Sequence, residues 1–244
     1  MNTRSYRALT VAALVAIATG FTFAMSVPPE RTQREFAKIM FVHVPSAWLA
    51  FVAFAVTMIG GAIWLIKKTP IWDRVAASSA EVGVFYTALA LLTGLIWGYP
   101  VWGTFWDWSD ARMMSTAIMF FVYVGYLALR RSIPDPETRA RRSAILGIVA
   151  FVQVPLVYFS VSLFRTLHQG PTVVRPDAPI DPEFLRALMI NLGAFTVVYV
   201  AFMAWRTRLA RLEDELEETE AIADFELAGS GITAPELEEV PGDV

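Results

Sequence analysis

The sequence predicts an all-α integral membrane protein with six transmembrane helices, both termini on the cytoplasmic side, and a tryptophan-rich external loop. Three observations carry that prediction. Apolar residues make up 56% of the chain and charged residues only 18%, a balance too oily for an ordinary soluble domain. Six apolar runs recur, each close to the roughly twenty residues that an α-helix needs to cross a hydrocarbon core about 30 Å thick. Lys and Arg are distributed unevenly between the two sides of those runs, which orients them.

Taken in order, Arg4 and Arg7 precede the first run, at 8–27. A signal peptide would carry the same basic flank, but the length fits a retained span. Further runs follow at 44–66, 80–99, 113–129, 144–164 and 184–205, bounded by charges, Pro or Gly. Each must be helical, because an isolated stretch in lipid has to satisfy its own backbone. Thirteen Lys and Arg fall on the side of the N-terminus, the 67–78 and 130–142 loops and the start of the tail; seven, including Lys38, Arg112 and Arg175, fall on the other. The positive-inside rule therefore puts the thirteen in the cytoplasm.

The net charge of −3 conceals a division of the chain. Residues 212–244 hold twelve of its twenty-three acids and no Lys or Arg, leaving +9 on the remainder. The reading is a six-span membrane domain over 1–206 and an acidic cytoplasmic tail over 207–244, helical around 212–220 and disordered beyond Gly229. No repeat and no nucleotide-binding glycine loop is present, so no ATPase domain is read. Nothing points to nucleic acid. Within the spans, Glu81 reads as a boundary residue, Gln153 and Asn191 as interhelical hydrogen-bonding groups, and Pro155 as a kink. So few buried ionisable groups argue against an ion-coupled pump.

The candidate chemistry lies on the outer side. The segment Trp97-Gly-Tyr-Pro-Val-Trp102-Gly-Thr-Phe-Trp106-Asp-Trp108-Ser-Asp110-Ala-Arg112 contains four of the eight tryptophans. With no cysteine in the chain, a metal would fall to His, Met or carboxylate. The two histidines, His43 and His168, both map beside the Trp loop. Two neutral imidazoles on opposite sides of a flat macrocycle complete six-coordinate haem iron. Trp102, Trp106 and Trp108 offer flat faces and N–H donors, and Gly103 leaves room for a ring near the backbone. An aromatic belt in the headgroups and capping histidines are the plainer alternatives.

Three stretches carry a family resemblance. Met40-Phe-Val-His43-Val-Pro45-Ser-Ala-Trp48, the run from Trp102 to Arg112, and Thr166-Leu-His168-Gln-Gly170 resemble the signature segments of the haem exporter protein C (CcmC) family of bacterial cytochrome c maturation. The family's W-G-x-x-W-x-W-D-A-R run is lengthened here by Ser109, and Phe105 stands where a tryptophan is usual. Lys38 stands where an arginine is usual.

The resemblance implies that His43 and His168 are the axial ligands of haem b, with Trp102, Gly103, Trp106, Trp108, Asp110, Arg112 and Lys38 around the macrocycle. Lys38 or Arg112 would pair with the propionates. It further implies a multi-pass protein of the bacterial inner membrane, in contact with lipid. Such a protein hands haem to the periplasmic haem chaperone CcmE beside the ABC transporter subunits CcmA and CcmB, and binds and transfers rather than acting as a classical enzyme. A membrane b-type cytochrome for electron transfer, a haem-ligating synthetase and a non-haem permease subunit are the rival readings.

Overall fold

The computed structural model describes residues 2–168, 170 and 180–230. Among these described residues seven α-helices form: α1 (Thr3–Ser26), α2 (Met40–Lys67), α3 (Pro70–Trp102), α4 (Ala111–Arg131), α5 (Pro136–Ala150), α6 (Gln153–Leu163) and α7 (Pro182–Ser230), with a 3-10 segment at Glu35–Ile39 leading into α2. Because α5 and α6 together make one span, six helical segments are long and apolar enough to cross a membrane. No strand occurs among the described residues. The protein is a multi-pass, all-helical membrane protein.

Local chemistry sets the helix ends. Asn2, Asp110 and Asp135 cap α1, α4 and α5, each accepting a backbone N–H of the first turn. Pro70 and Pro136 occupy the first turns of α3 and α5, where a missing N–H costs nothing. The break between α5 and α6 follows from Pro155. It has no N–H to donate to the Phe151 carbonyl, which instead accepts from Val154 N at 2.9 Å.

Helices α2 to α6 pack around a core built on Leu49, Phe54, Tyr86, Met119, Tyr123 and Tyr126, in which Phe54 and Tyr123 stack at 3.5 Å between centroids. In lipid, such packing and interhelical hydrogen bonds replace the hydrophobic drive between helices. Ser79 Oγ donates to Ala53 O at 2.8 Å and shares a hydrogen bond with Tyr199 on α7, while Tyr86 OH donates to Phe195 O. Asn191 Nδ2 donates to Gly20 O at 3.0 Å and so fastens α1 to α7, the interhelical role expected of it.

Two ion pairs hold the end of the bundle away from the histidines. Asp73, in the first turn of α3, receives both Arg130 Nη1 and Nη2, at 2.6 and 2.7 Å. Glu81 is paired with Arg206 of α7. Because α3 starts at Pro70, about ten residues before its apolar run, Glu81 lies three turns inside the helix and meets a cation there.

The chain divides into two compact units, Met1–Thr207 and Arg208–Val244. Within the second, helix continues to Ser230, beyond the expected 212–220, with Arg211 Nε bonded to Glu215 Oε1 at 2.7 Å. The end beyond Gly229 expected to be disordered falls at 231–244, outside the described residues, as do Arg175 and Gln169.

Candidate functional site

One end of the helix bundle gathers the start of α2, the last turns of α3, the loop to α4, and the segment after α6. His43 projects from the second turn region of α2 onto α3. Its Nδ1 lies 2.9 Å from Ala90 O and 3.2 Å from Thr93 Oγ1. A carbonyl only accepts, so Nδ1 carries the proton and Nε2 keeps its lone pair. Gly94 makes the approach possible, since a Cβ there would stand 3.1 Å from His43 Cε1. Trp97 closes another side of the ring edge-on, at 5.8 Å between centroids, and is itself held by Gln33 Oε1 at 2.9 Å. Ala90, Thr93 and Gly94 were not singled out from the sequence, because contacts across some fifty residues leave no local pattern.

His168 is set by a different device. Its Nδ1 lies 3.3 Å from Thr166 Oγ1, 3.3 Å from Asp110 Oδ1 and 3.4 Å from Asp110 Oδ2. Thr166 spends its one proton on Asp110 Oδ2, at 2.6 Å. It can therefore only accept from His168, whose Nδ1 must again be the protonated nitrogen. Burial pushes the His168 pKa below its ordinary value of 6.5, against the pull of the Asp110 carboxylate, so the ring is neutral at neutral pH. Trp102 lies against it, with centroids 4.9 Å apart.

Asp110 joins the Trp loop to this segment. Oδ1 caps α4 by accepting Met113 N at 2.8 Å, and Oδ2 accepts Leu167 N at 2.7 Å beside the Thr166 hydroxyl. Burial alone would raise its pKa, but these hydrogen bonds and His168 hold it below the usual carboxylate value. With its side chain wholly shielded from solvent, Asp110 serves protein groups. The additional Ser109 is absorbed just before it: Ser109 N and Oγ both donate to Asp107 Oδ1, at 2.8 and 2.7 Å, and Asp110 N donates to Asp107 O. This turn delivers Asp110 to the cap position.

The remaining predicted residues sort by what their polar atoms meet. Arg112 Nη2 donates to Tyr158 O at 3.1 Å, whereas Arg112 Nε and Trp106 Nε1 are buried donors with no acceptor among the described residues. Arg112, His43 and His168 lie close enough to influence one another electrostatically. Trp108 is 78% exposed and meets Trp106 edge-on, while exposed Phe105 stacks on Tyr99 at 4.3 Å. Gly103 adopts a left-handed φ of 75° that ends α3, with open space beside its Cα. Lys38 Nζ reaches Met25 O at 3.2 Å and Glu35 Oε2 at 2.9 Å. It ties the end of α1 to the 3-10 segment.

The arrangement can present two neutral imidazole lone pairs and two unpartnered N–H donors within one aromatic setting. Among the described residues, no group of three or more His, Cys, Asp or Glu converges, so a bare metal ion would find no cage here.

The family profile described as "Heme exporter protein C" matches residues 1–222. Proteins of that name are similar to the chain over most of their length. The one from Bradyrhizobium diazoefficiens is 37% identical over 209 residues, 85% of this chain and 77% of the relative. That from Haemophilus influenzae is 34% identical over 82% of this chain and 80% of its own. That from Escherichia coli K12 is 32% identical over 82% and 81%.

Proposed function

Because the chain belongs to the Heme exporter protein C family, we propose that it binds haem b at the outer face of the bacterial cytoplasmic membrane and delivers it to the periplasmic haem chaperone CcmE during cytochrome c maturation. Haem is the cargo, and His43 and His168 are its axial ligands. The observation that carries this reading is the matched state of the two imidazoles: each has Nδ1 engaged by acceptors and each keeps an Nε2 lone pair, at one end of the bundle. A porphyrin supplies four nitrogen donors of its own and asks the protein for two. A site with two histidines and no further converging ligands suits that need.

The unpartnered donors extend the fit. Trp106 Nε1 and Arg112 Nε donate to the propionates, a charge-assisted contact in a poorly hydrated setting that their lack of another acceptor among the described residues supports. Lys38 Nζ, bonded to Met25 O and Glu35, frames the entry to α2 and keeps a third N–H for a propionate. Trp102 packs beside His168, the exposed Trp108 offers a flat face, and Gly103 turns the chain between them. Closing both axial positions keeps dioxygen from the iron while the cargo waits.

Residues 1–206 form the haem-handling domain and 207–244 the cytoplasmic tail, with CcmA and CcmB as neighbouring ABC transporter subunits. The excess of Lys and Arg on the side of both termini supports the orientation. Co-expression with the chaperone, followed by denaturing electrophoresis and haem staining, tests the delivery step. A chaperone-linked haem adduct that disappears with His43→Ala and with His168→Ala is expected. Haem bound by the protein with no adduct on the chaperone would overturn delivery in favour of a membrane b-type cytochrome.

A further inference from the structure

We propose that Asp110 is the positioning residue of His168, fixing its Nδ1–H tautomer and making it the stronger donor of the two axial imidazoles. The inference rests on the haem reading above. It starts from an asymmetry between the two histidines. His43 gives its Nδ1 proton to a neutral backbone carbonyl, Ala90 O. His168 gives its own to a site whose acceptors are a carboxylate and the hydroxyl that this carboxylate orients. A carboxylate draws the Nδ1 proton more strongly than a carbonyl, which raises basicity at the opposite nitrogen, the pattern found behind many metal-bound imidazoles.

Proton accounting excludes the other tautomer. Thr166 has already donated its hydrogen to Asp110, whose two oxygens also accept from Met113 N and Leu167 N, so a lone pair on His168 Nδ1 would face acceptors alone. The carboxylate itself cannot drift. The cap bond from Met113 N holds one oxygen, and Thr166 Oγ1 and Leu167 N hold the other. His168 N also donates to Thr166 Oγ1 at 3.1 Å, so the hydroxyl fixes the backbone of the ligand as well as its ring. The segment 166–168 leaves the end of α6 with no helix of its own; Asp110 is what gives this ligand a helix-mounted anchor.

The consequence is a division of labour. His43 sits on a helix, wedged against Gly94 and Trp97, and its placement comes from packing. His168 sits on a non-helical segment, and its placement and its donor strength come from one buried carboxylate. Removing the charge while keeping the shape, as Asp110→Asn does, should weaken His168 as a ligand without touching His43.

The test uses the full-length protein with haem, in two backgrounds. Asp110→Asn is expected to lower haem affinity by about 10–100-fold, the usual effect of losing such a partner. It should also raise the midpoint potential of the bound haem, because the ferric form loses the more basic ligand. In a His168→Ala background, Asp110→Asn should cause no further loss. Thr166→Val leaves the α4 cap intact and should shift the potential in the same direction, so the idea remains testable if Asp110→Asn folds poorly.

An unchanged potential in both Asp110→Asn and Thr166→Val would overturn the inference, as would an equal loss of affinity with and without His168, which marks a cap and nothing more. If His168→Ala itself left the haem spectrum unaltered, the ligand assignment would fall and this inference with it. Loss of the spectrum in His168→Ala alongside an unshifted Asp110→Asn would overturn the positioning role alone.

Discussion

Gly94→Ala isolates the packing that aims His43. A Cβ at this position would stand 3.1 Å from His43 Cε1 and 3.5 Å from Nδ1, whereas an ordinary contact begins near 3.4 Å, so the ring must retreat by about 0.3 Å. That movement stretches the 2.9 Å contact to Ala90 O to the long edge of the hydrogen-bond range, about 3.2 Å. Weakening such a bond costs at most its net worth of about 0.5–1.5 kcal/mol, which caps the loss of haem affinity at roughly 2- to 12-fold. Gly94→Val adds overpacking of about 1–3 kcal/mol and should abolish ligation by His43. The helix gains from either replacement of glycine at the backbone level, so Gly94→Ala should fold normally. Haem titration of purified protein, with thermal unfolding of the haem-free form alongside, separates these effects. Wild-type affinity in both variants would refute the argument that His43 is aimed by contact with Gly94.

Further expectations follow from the same geometry. Deleting Ser109 shortens the turn closed by Asp107 and should pull Asp110 from its cap. Haem retention would fall, while Ser109→Ala, which keeps the backbone bond, should behave nearly as wild type in the same titration. Arg130→Met leaves Asp73 charged and mostly buried with its bidentate partner gone; unfolding in detergent should show a loss of about 3 kcal/mol, with Asp73→Asn/Arg130→Met together costing less. Asn191→Leu removes the bond to Gly20 and should loosen α1 by about 0.6–1.7 kcal/mol, read as earlier proteolysis of the N-terminal helix. Because burial depresses the His168 pKa, the folded ring stays neutral below the pH at which a free imidazole, near 6.5, takes a proton. The unfolded chain protonates first, so stability is lost as pH falls below about 6.5. The six-coordinate signal should persist through that value and fade only in stronger acid; loss already above pH 6.5 would contradict the buried placement.

The fold was legible because length and apolarity are what a bilayer demands, and both are local properties of the chain. The six spans and the break at Pro155 are of this kind; that Asn191 bonds another helix could be expected, but not that its partner is Gly20, 171 residues away. Helix ends were less legible. The start of α3 carries Asp73 and Arg74, which precede the apolar run yet belong to the helix, and Asp73 is matched by Arg130 from 57 residues away. The site divides in the same manner. Two histidines beside a cluster of tryptophans can be seen in the sequence, but not that Asp110 faces His168 across 58 residues, or that Ala90, Thr93 and Gly94 receive His43. Lys38 likewise has contacts the sequence does not announce, to Met25 and Glu35.

The central claim is that His43 and His168 together ligate one haem iron. Low-temperature electron paramagnetic resonance of the ferric protein, purified with haem, tests it most directly. The account predicts a low-spin bis-imidazole signal in the wild type, replaced by a high-spin or altered-ligand signal in His43→Ala and in His168→Ala alike. A bis-imidazole signal that survives either substitution would contradict it.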